Sequence, residues 1–191
     1  MEKTRITVAV PGAQAAAKIK YVLQRSGYGV ADVCSSSSET LRRVRTNPPD
    51  ILLINFDMPD MTGLEAARIV GSENLCSVIL LVSSAQKELC YGQTIDYDIT
   101  MFQKPVNRVG LLSVIDTVTQ GRRHLSKLNT ELLALKKGME ERKVIERAKG
   151  ILMKHRGISE GEAYRRIQKM SMDSRVSMKD IAARILEMSN E

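Results

Sequence analysis

Pro49-Asp-Ile-Leu-Leu-Ile-Asn-Phe-Asp-Met-Pro-Asp-Met-Thr-Gly63 decides how the first half of this 191-residue chain folds. Asp50 to Asn55 is a nearly continuous apolar run of strand length. A strand that is apolar on both faces must be covered on both, which is the condition inside a parallel sheet. Working outward, Ile6 to Val10 is a short β-branched run stopped by Pro11-Gly12. Ala13 to Arg25 then carries Ala16, Ile19, Val22 and Leu23 at helical spacing, and Gly27 is placed to close that helix. Val30 to Val33 reads as a strand and Ser38 to Arg45 as a helix. Glu65 to Val70 is helical, Ser77 to Val82 is a second buried strand, and Ile99 to Gln103 is a fifth, stopped by Lys104-Pro105. Five strands alternating with helices predict an α/β fold, a doubly wound five-stranded parallel sheet with its site in the loops at the carboxyl ends of the strands.

The second half changes character. From Leu111, apolar residues fall at 111, 114, 118, 125, 128, 132, 135 and 139, with Gly121 in one expected seam position. This heptad stripe predicts a long coiled-coil helix and a homodimer through 111–139. A helix packed on its own domain would carry a similar stripe. Three helices are expected beyond residue 140. The first, Glu141 to Lys154, turns Ile145, Ala148, Ile151 and Leu152 inward and ends near Gly157. The second opens with the capping box Ser159-x-x-Glu162 and turns Ala163, Ile167 and Met170 inward. The third opens at Ser177 and buries Ile181, Ile185 and Leu186. The predicted organisation is a sheet domain over 1–107, a coiled-coil linker over 108–140 and a small three-helix all-α domain over 141–191.

Charge separates the halves. Residues 1–106 hold 11 Lys/Arg and 11 Asp/Glu, whereas residues 107–191 hold 18 against 11, the entire net charge of +7. A basic half on a neutral half fits a polyanion-binding module on a control domain; a helical region rich in Lys and Arg as good helix formers would give the same balance. Three cysteines without a CxxC pair and two histidines offer no zinc site or disulfide framework, so a reduced, cytoplasmic protein without metal or cofactor is expected. No apolar run is long enough for a transmembrane helix, and the charged start, Met1-Glu-Lys-Thr-Arg, does not read as a signal peptide. No enzyme is expected either. Ser83 and Ser84 lack a G-x-S-x-G elbow and a nearby histidine, Pro11-Gly12-Ala13 lacks the glycine spacing of a nucleotide loop, and Cys90 has no companion base.

Residues 5 to about 120 resemble the receiver domain of bacterial two-component response regulators, through the Pro49–Gly63 stretch, the Val82-Ser83-Ser84 strand end and Lys104-Pro105. Residues 142 to about 188 resemble the ANTAR domain, an RNA-binding antitermination module, through Arg142-Lys-Val-Ile-Glu-Arg-Ala-Lys-Gly-Ile-Leu-Met153, Ser159-x-x-Glu-Ala-Tyr164 and Lys169-Met-Ser-Met172. The order matches receiver–ANTAR antiterminators. The resemblance implies a phosphorylated aspartate eight positions before Gly63, where this chain has Asn55, and an acidic pair after the first strand, where it has Pro11-Gly12. A neutral amide is no acceptor for an acyl phosphate, so the resemblance carries over only Ser83 at the hydroxyl position and Lys104 at the phosphate-pairing position. Met101 occupies the aromatic switch position, three residues before the lysine. Asp57, beyond the strand end, is not expected to substitute as acceptor, and Lys104 is expected to bond Asn55 or backbone. This half therefore reads as a pseudo-receiver that dimerises and docks a regulatory protein or ligand.

For the basic half, the resemblance makes Lys149 the leading RNA-contact candidate, followed by Arg142, Lys154, Arg165 and Arg166, with Ala148 and Gly150 allowing close backbone approach and Tyr164 as the one aromatic after residue 107. Without the resemblance, Ala148 and Gly150 read as helix-packing residues and Tyr164 as a half-buried spacer. The expected function is a dimeric antitermination regulator that holds hairpins of nascent leader RNA. The alternatives are helices that bind a protein, or DNA through a helix-turn-helix.

Overall fold

The computed structural model describes residues 3–188; Met1, Glu2 and residues 189–191, where the start of the chain and the end of the third predicted domain were read, lie outside the described residues. Strands β1 (Arg5–Ala9), β2 (Gly29–Cys34), β3 (Ile51–Asn55), β4 (Ser77–Val82) and β5 (Ile99–Gln103) pair in parallel in the order β2-β1-β3-β4-β5. Along β3, Ile51 to Ile54 are completely buried. Ile51 and Leu53 face Ile6, Val8, Ile79 and Leu81 under helices α1 (Ala13–Arg25) and α5 (Arg108–Arg156). Leu52 and Ile54 face Val78, Leu80 and Val82 under α2 (Ser37–Thr46) and α3 (Gly63–Ser72). Each such side chain is worth about 1.5–3 kcal/mol on burial, which is why β3 has no polar residue before its last position.

The chain steps from β1 out to β2 and returns across β1 to β3, so a crevice opens between the carboxyl ends of β1 and β3. Gly63 defines one side of this end of the sheet. A Cβ there would stand 2.0 Å from the Asn55 carbonyl oxygen and 2.8 Å from its carbon, while the Gly63 amide donates to the Phe56 carbonyl at 2.8 Å. Only glycine lets the chain return this close to its own strand.

Helix α4 (Ser84–Cys90) is not among the elements expected from sequence. It is short and mostly polar, so it has no apolar stripe; its signal is the capping box Ser83-x-x-Gln86, with both reciprocal bonds formed. Helix α5 differs more. It runs unbroken for 49 residues, so the predicted linker and the first helix of the small domain are one element. No helix-stopping cap lies near residue 140, and neither Gly121 nor Gly138 has anything within contact distance of an added Cβ. The first turns of α5 belong to the sheet domain: Leu111 and Ile115 are fully buried on it and Val114 and Val118 partly so. The first compact unit accordingly ends at Leu125, beyond the boundary expected at residue 107.

The second unit begins at Ser126. Its core joins Ala148 of α5, Ile167 of α6 (Glu160–Ser174), and Ile181 and Ala182 of α7 (Met178–Met188), with Val144, Ile145, Leu152, Ile185 and Leu186 partly buried around them. Gly157, at φ 63°, ends α5, and the Ser159–Glu162 capping box opens α6. Met170, expected inside, is exposed.

The close approach at Gly63 yields a contrast. Gly63→Ala is expected to destabilise the first unit by about 3 kcal/mol, because the overlap is with backbone that cannot step aside. Gly12→Ala, whose Cβ would meet only Ala15 at 3.8 Å, should stay within about 1 kcal/mol of the wild type in urea unfolding. Equal effects at the two positions would refute this account.

Candidate functional site

At the carboxyl end of the sheet, Asn55 closes β3, is 9% exposed, and donates from Nδ2 to the Asp57 carbonyl at 2.8 Å. Asp57 lies past the strand end and its side chain is exposed. Its carboxylate accepts from Gln86 Nε2 at 2.7 Å and from Lys104 Nζ at 3.3 Å. Lys104 thus has a carboxylate partner, which corrects the expectation that it bonds Asn55 or backbone; Asp57 reaches it because the loop after β3 carries the acid toward the end of β5. The Ser83 hydroxyl caps α4, accepting from the Gln86 amide at 3.3 Å. Pro11 and Gly12 follow β1 and line the crevice with Asn55 and Lys104.

Magnesium favours a nearly octahedral set of oxygens, usually one or two carboxylates with phosphate and water. The residues at this end do not fit it. Pro11 offers no side-chain oxygen, Gly12 no side chain, Asn55 offers an amide, and the Asp57 carboxylate is already held by Gln86 and Lys104. A carboxylate nucleophile at the end of β3 is also missing. Cys34, Cys76 and Cys90 are buried thiols whose pKa burial raises, Cys76 to about 12, so none is poised as a thiolate.

In the second unit, Lys149 is 6% exposed. Its Nζ donates to Glu146 Oε1 at 2.8 Å and Oε2 at 2.9 Å, and to Glu160 Oε1 at 2.7 Å. These bonds, to Glu146 first and Glu160 next, hold its pKa above the usual lysine range. Glu146 is on α5 and Glu160 opens α6, so the cation ties the two helices together. Ala148 is fully buried, whereas Gly150 is exposed with open space where a Cβ would be. Arg142, Lys154, Tyr164, Arg165 and Arg166 are exposed, and the four cations form no ion pair among the described residues.

Residues 13–116 match the response regulator receiver domain and residues 133–186 match the ANTAR domain. The chain is a response regulator with a receiver domain and a C-terminal ANTAR domain. It is 26% identical over 183 residues to the transcriptional regulatory protein PdtaR of Mycobacterium tuberculosis, covering 96% of this chain and 89% of that protein. It is 38% identical over 73 residues to the nitrate regulatory protein of Klebsiella oxytoca, covering 38% of this chain and 18% of that one. A response regulator receiver domain protein from Clostridium thermocellum superposes with a TM-score of 0.59 at 22% identity, covering 64% of this chain and 98% of that one. A receiver domain protein from Methanospirillum hungatei gives 0.56 at 20%, covering 64% and 99%. These structures share the receiver fold.

The geometry reorders the sequence candidates. In the ANTAR motif, Ala148 and Lys149 point inward and hold the helices, while Arg142, Lys154, Arg165 and Arg166 are left outside. Sequence periodicity did reach Ala148, but nothing local in the motif marks Lys149 as the partner of Glu146 and Glu160.

The Lys149 clamp sets a pH dependence. Glu160 is held below its usual pKa by Lys149, and Glu162 by the Ser159 backbone and side chain. Both shifts are downward from 4.5, so their stabilisation is complete above that value and is lost as pH falls below it. Hydrogen exchange of α6 amides in the full chain should therefore accelerate as pH drops below 4.5, after correction for intrinsic rates. Lys149→Met should expose α6 already at neutral pH, by leaving two glutamates facing each other. Unchanged α6 protection in Lys149→Met would remove the clamp from the account.

Proposed function

We propose that this response regulator is a cytoplasmic, dimeric transcription antitermination regulator whose ANTAR domain holds hairpins of nascent leader RNA, and whose receiver works without phosphorylation. The observation that carries the RNA reading is the set of exposed cations Arg142, Lys154, Arg165 and Arg166, in no ion pair among the described residues, beside exposed Tyr164 on a unit that matches the ANTAR domain. Arginine forks and an aromatic face suit unstacked loop bases and phosphates. Lys149 and Ala148 act here by positioning the helices. Holding an antiterminator hairpin keeps the competing terminator from forming, so polymerase reads through. The receiver reading rests on Asn55 and Pro11-Gly12 in place of the carboxylates that phosphoryl transfer and magnesium require.

Dimerisation is assigned to the later part of the apolar stripe. Leu111, Val114 and Val118 are used on the receiver itself, which narrows the seam expected over 111–139. Leu128 and Leu132 remain 47% and 48% exposed, with Leu125, Leu135 and Met139 exposed alongside. A second copy of the same helix would cover this face as knobs into holes, and would present two RNA-binding heads whose linkage raises effective concentration.

In binding titrations against a cognate hairpin, Arg142→Ala, Arg165→Ala and Arg166→Ala should each cost about 1.5–3 kcal/mol where a charged hydrogen bond is lost. Each lost phosphate contact should also flatten the salt dependence by about one unit of slope. Lys87→Ala, on the receiver, should bind as wild type, and acetyl phosphate with Mg²⁺ should leave the affinity unchanged. Wild-type affinity in all three arginine variants, with the ANTAR domain folded, would displace the RNA face. Duplex DNA or a protein outcompeting hairpins would replace the RNA reading altogether.

Light scattering checks the dimer separately. The double variant Leu128→Glu, Leu132→Glu places like charges in the seam, where unpaired burial is costly, and should convert a dimer to monomer. A wild-type monomer would show that the exposed leucines serve something other than a second copy.

A further inference from the structure

The crevice between β1 and β3 is a cleft of about 450 Å³, within the range of small-molecule sites. It lies within the receiver domain and has two kinds of wall. Pro11 after β1, Ile19 and Val22 of α1, and Leu111 of α5 give it an apolar surface. Lys18 of α1, Arg108 in the first turn of α5 and Lys104 supply positive charge, and no aspartate or glutamate lines it. Lys104 is shared with Asp57, whereas Lys18 and Arg108 enter no ion pair among the described residues.

We propose that this cleft binds a small amphipathic acid, with an apolar body against Pro11, Ile19, Val22 and Leu111 and a carboxylate head at Lys18 and Arg108. Charge selects the head: two cations in no ion pair among the described residues, in a lining that holds no acid, favour an anion and repel an amine. The lining selects the body. A bare phosphate would gain the cations but would give up its hydration against apolar walls, with no carboxylate-held metal to replace it. An uncharged alcohol of the same length would gain the walls alone. The two substitutions that leave the receiver without an acidic pair, Pro11 and Gly12, are themselves part of the cleft, so the changes that remove the metal site also shape an apolar one. This site does not depend on the RNA reading, because it is measured on the protein without RNA.

The test is calorimetric titration of the full chain with octanoate, octan-1-ol, octylamine and inorganic phosphate. Octanoate should bind saturably at one site per chain, octan-1-ol about tenfold or more weaker, and octylamine and phosphate not measurably. Ala15 lines the cleft and is exposed on α1, so Ala15→Phe should fill the cleft and abolish octanoate binding while circular dichroism stays that of the wild type. Lys18→Ala with Arg108→Ala should lower octanoate affinity to that of octan-1-ol. No saturable octanoate binding, equal affinity for octanoate and octan-1-ol, phosphate or octylamine binding as tightly as octanoate, or full octanoate affinity in folded Ala15→Phe would each overturn the proposal.

Discussion

Burial of β3 on both faces is the constraint on which the rest of the receiver domain depends. Four consecutive side chains, Ile51 to Ile54, are removed from water, and this is possible only if helices cover the sheet above and below. That requirement is met by helical crossovers between parallel strands, which take the chain out to β2 and back across β1 to β3. The return opens the crevice and leaves Asn55, the first polar residue of the strand, at its edge. Gly63 then brings the following loop against the Asn55 carbonyl, so the end of β3 and the loop that leaves it are packed backbone to backbone.

At the carboxyl end of the sheet the polar side chains find partners locally. The scaffold is kept: the strand ends, the serine after β4 and the lysine before the proline all stand where the fold puts them. Ser83 caps α4 by accepting from Gln86, Lys104 pairs with Asp57, and Asp57 is further held by Gln86, so each of these side chains has a local partner.

In the ANTAR domain the same logic applies to one lysine. A charge cannot be buried alone, so Lys149 at the seam of α5 and α6 brings Glu146 and Glu160 with it, and the three together set how α6 leaves the end of α5. Arg142, Lys154, Arg165 and Arg166, left to solvent, form no ion pair among the described residues. Helix α5 divides its apolar stripe in a similar way, spending Leu111, Ile115 and their neighbours on the receiver and leaving Leu128 and Leu132 uncovered.

The sequence by itself determined the alternation of strands and helices, the all-parallel sheet, the caps at Gly27, Gly157 and Ser159, and that Pro11, Gly12 and Asn55 carry no carboxylate. Each of these is a local matter of period, turn chemistry or residue identity. Short α4 escaped because seven mostly polar residues show no period, although the Ser83–Gln86 capping box marked its start. Only the tertiary structure decided that Lys149 lies inside, that Lys104 meets Asp57, that the first part of the stripe is already used, and that the linker and the first ANTAR helix are one. These depend on which residues distant in sequence arrive side by side, Glu160 at Lys149, Asp57 at Lys104 and the sheet at Leu111, and a periodic pattern records which face of a helix is apolar without recording what will cover it.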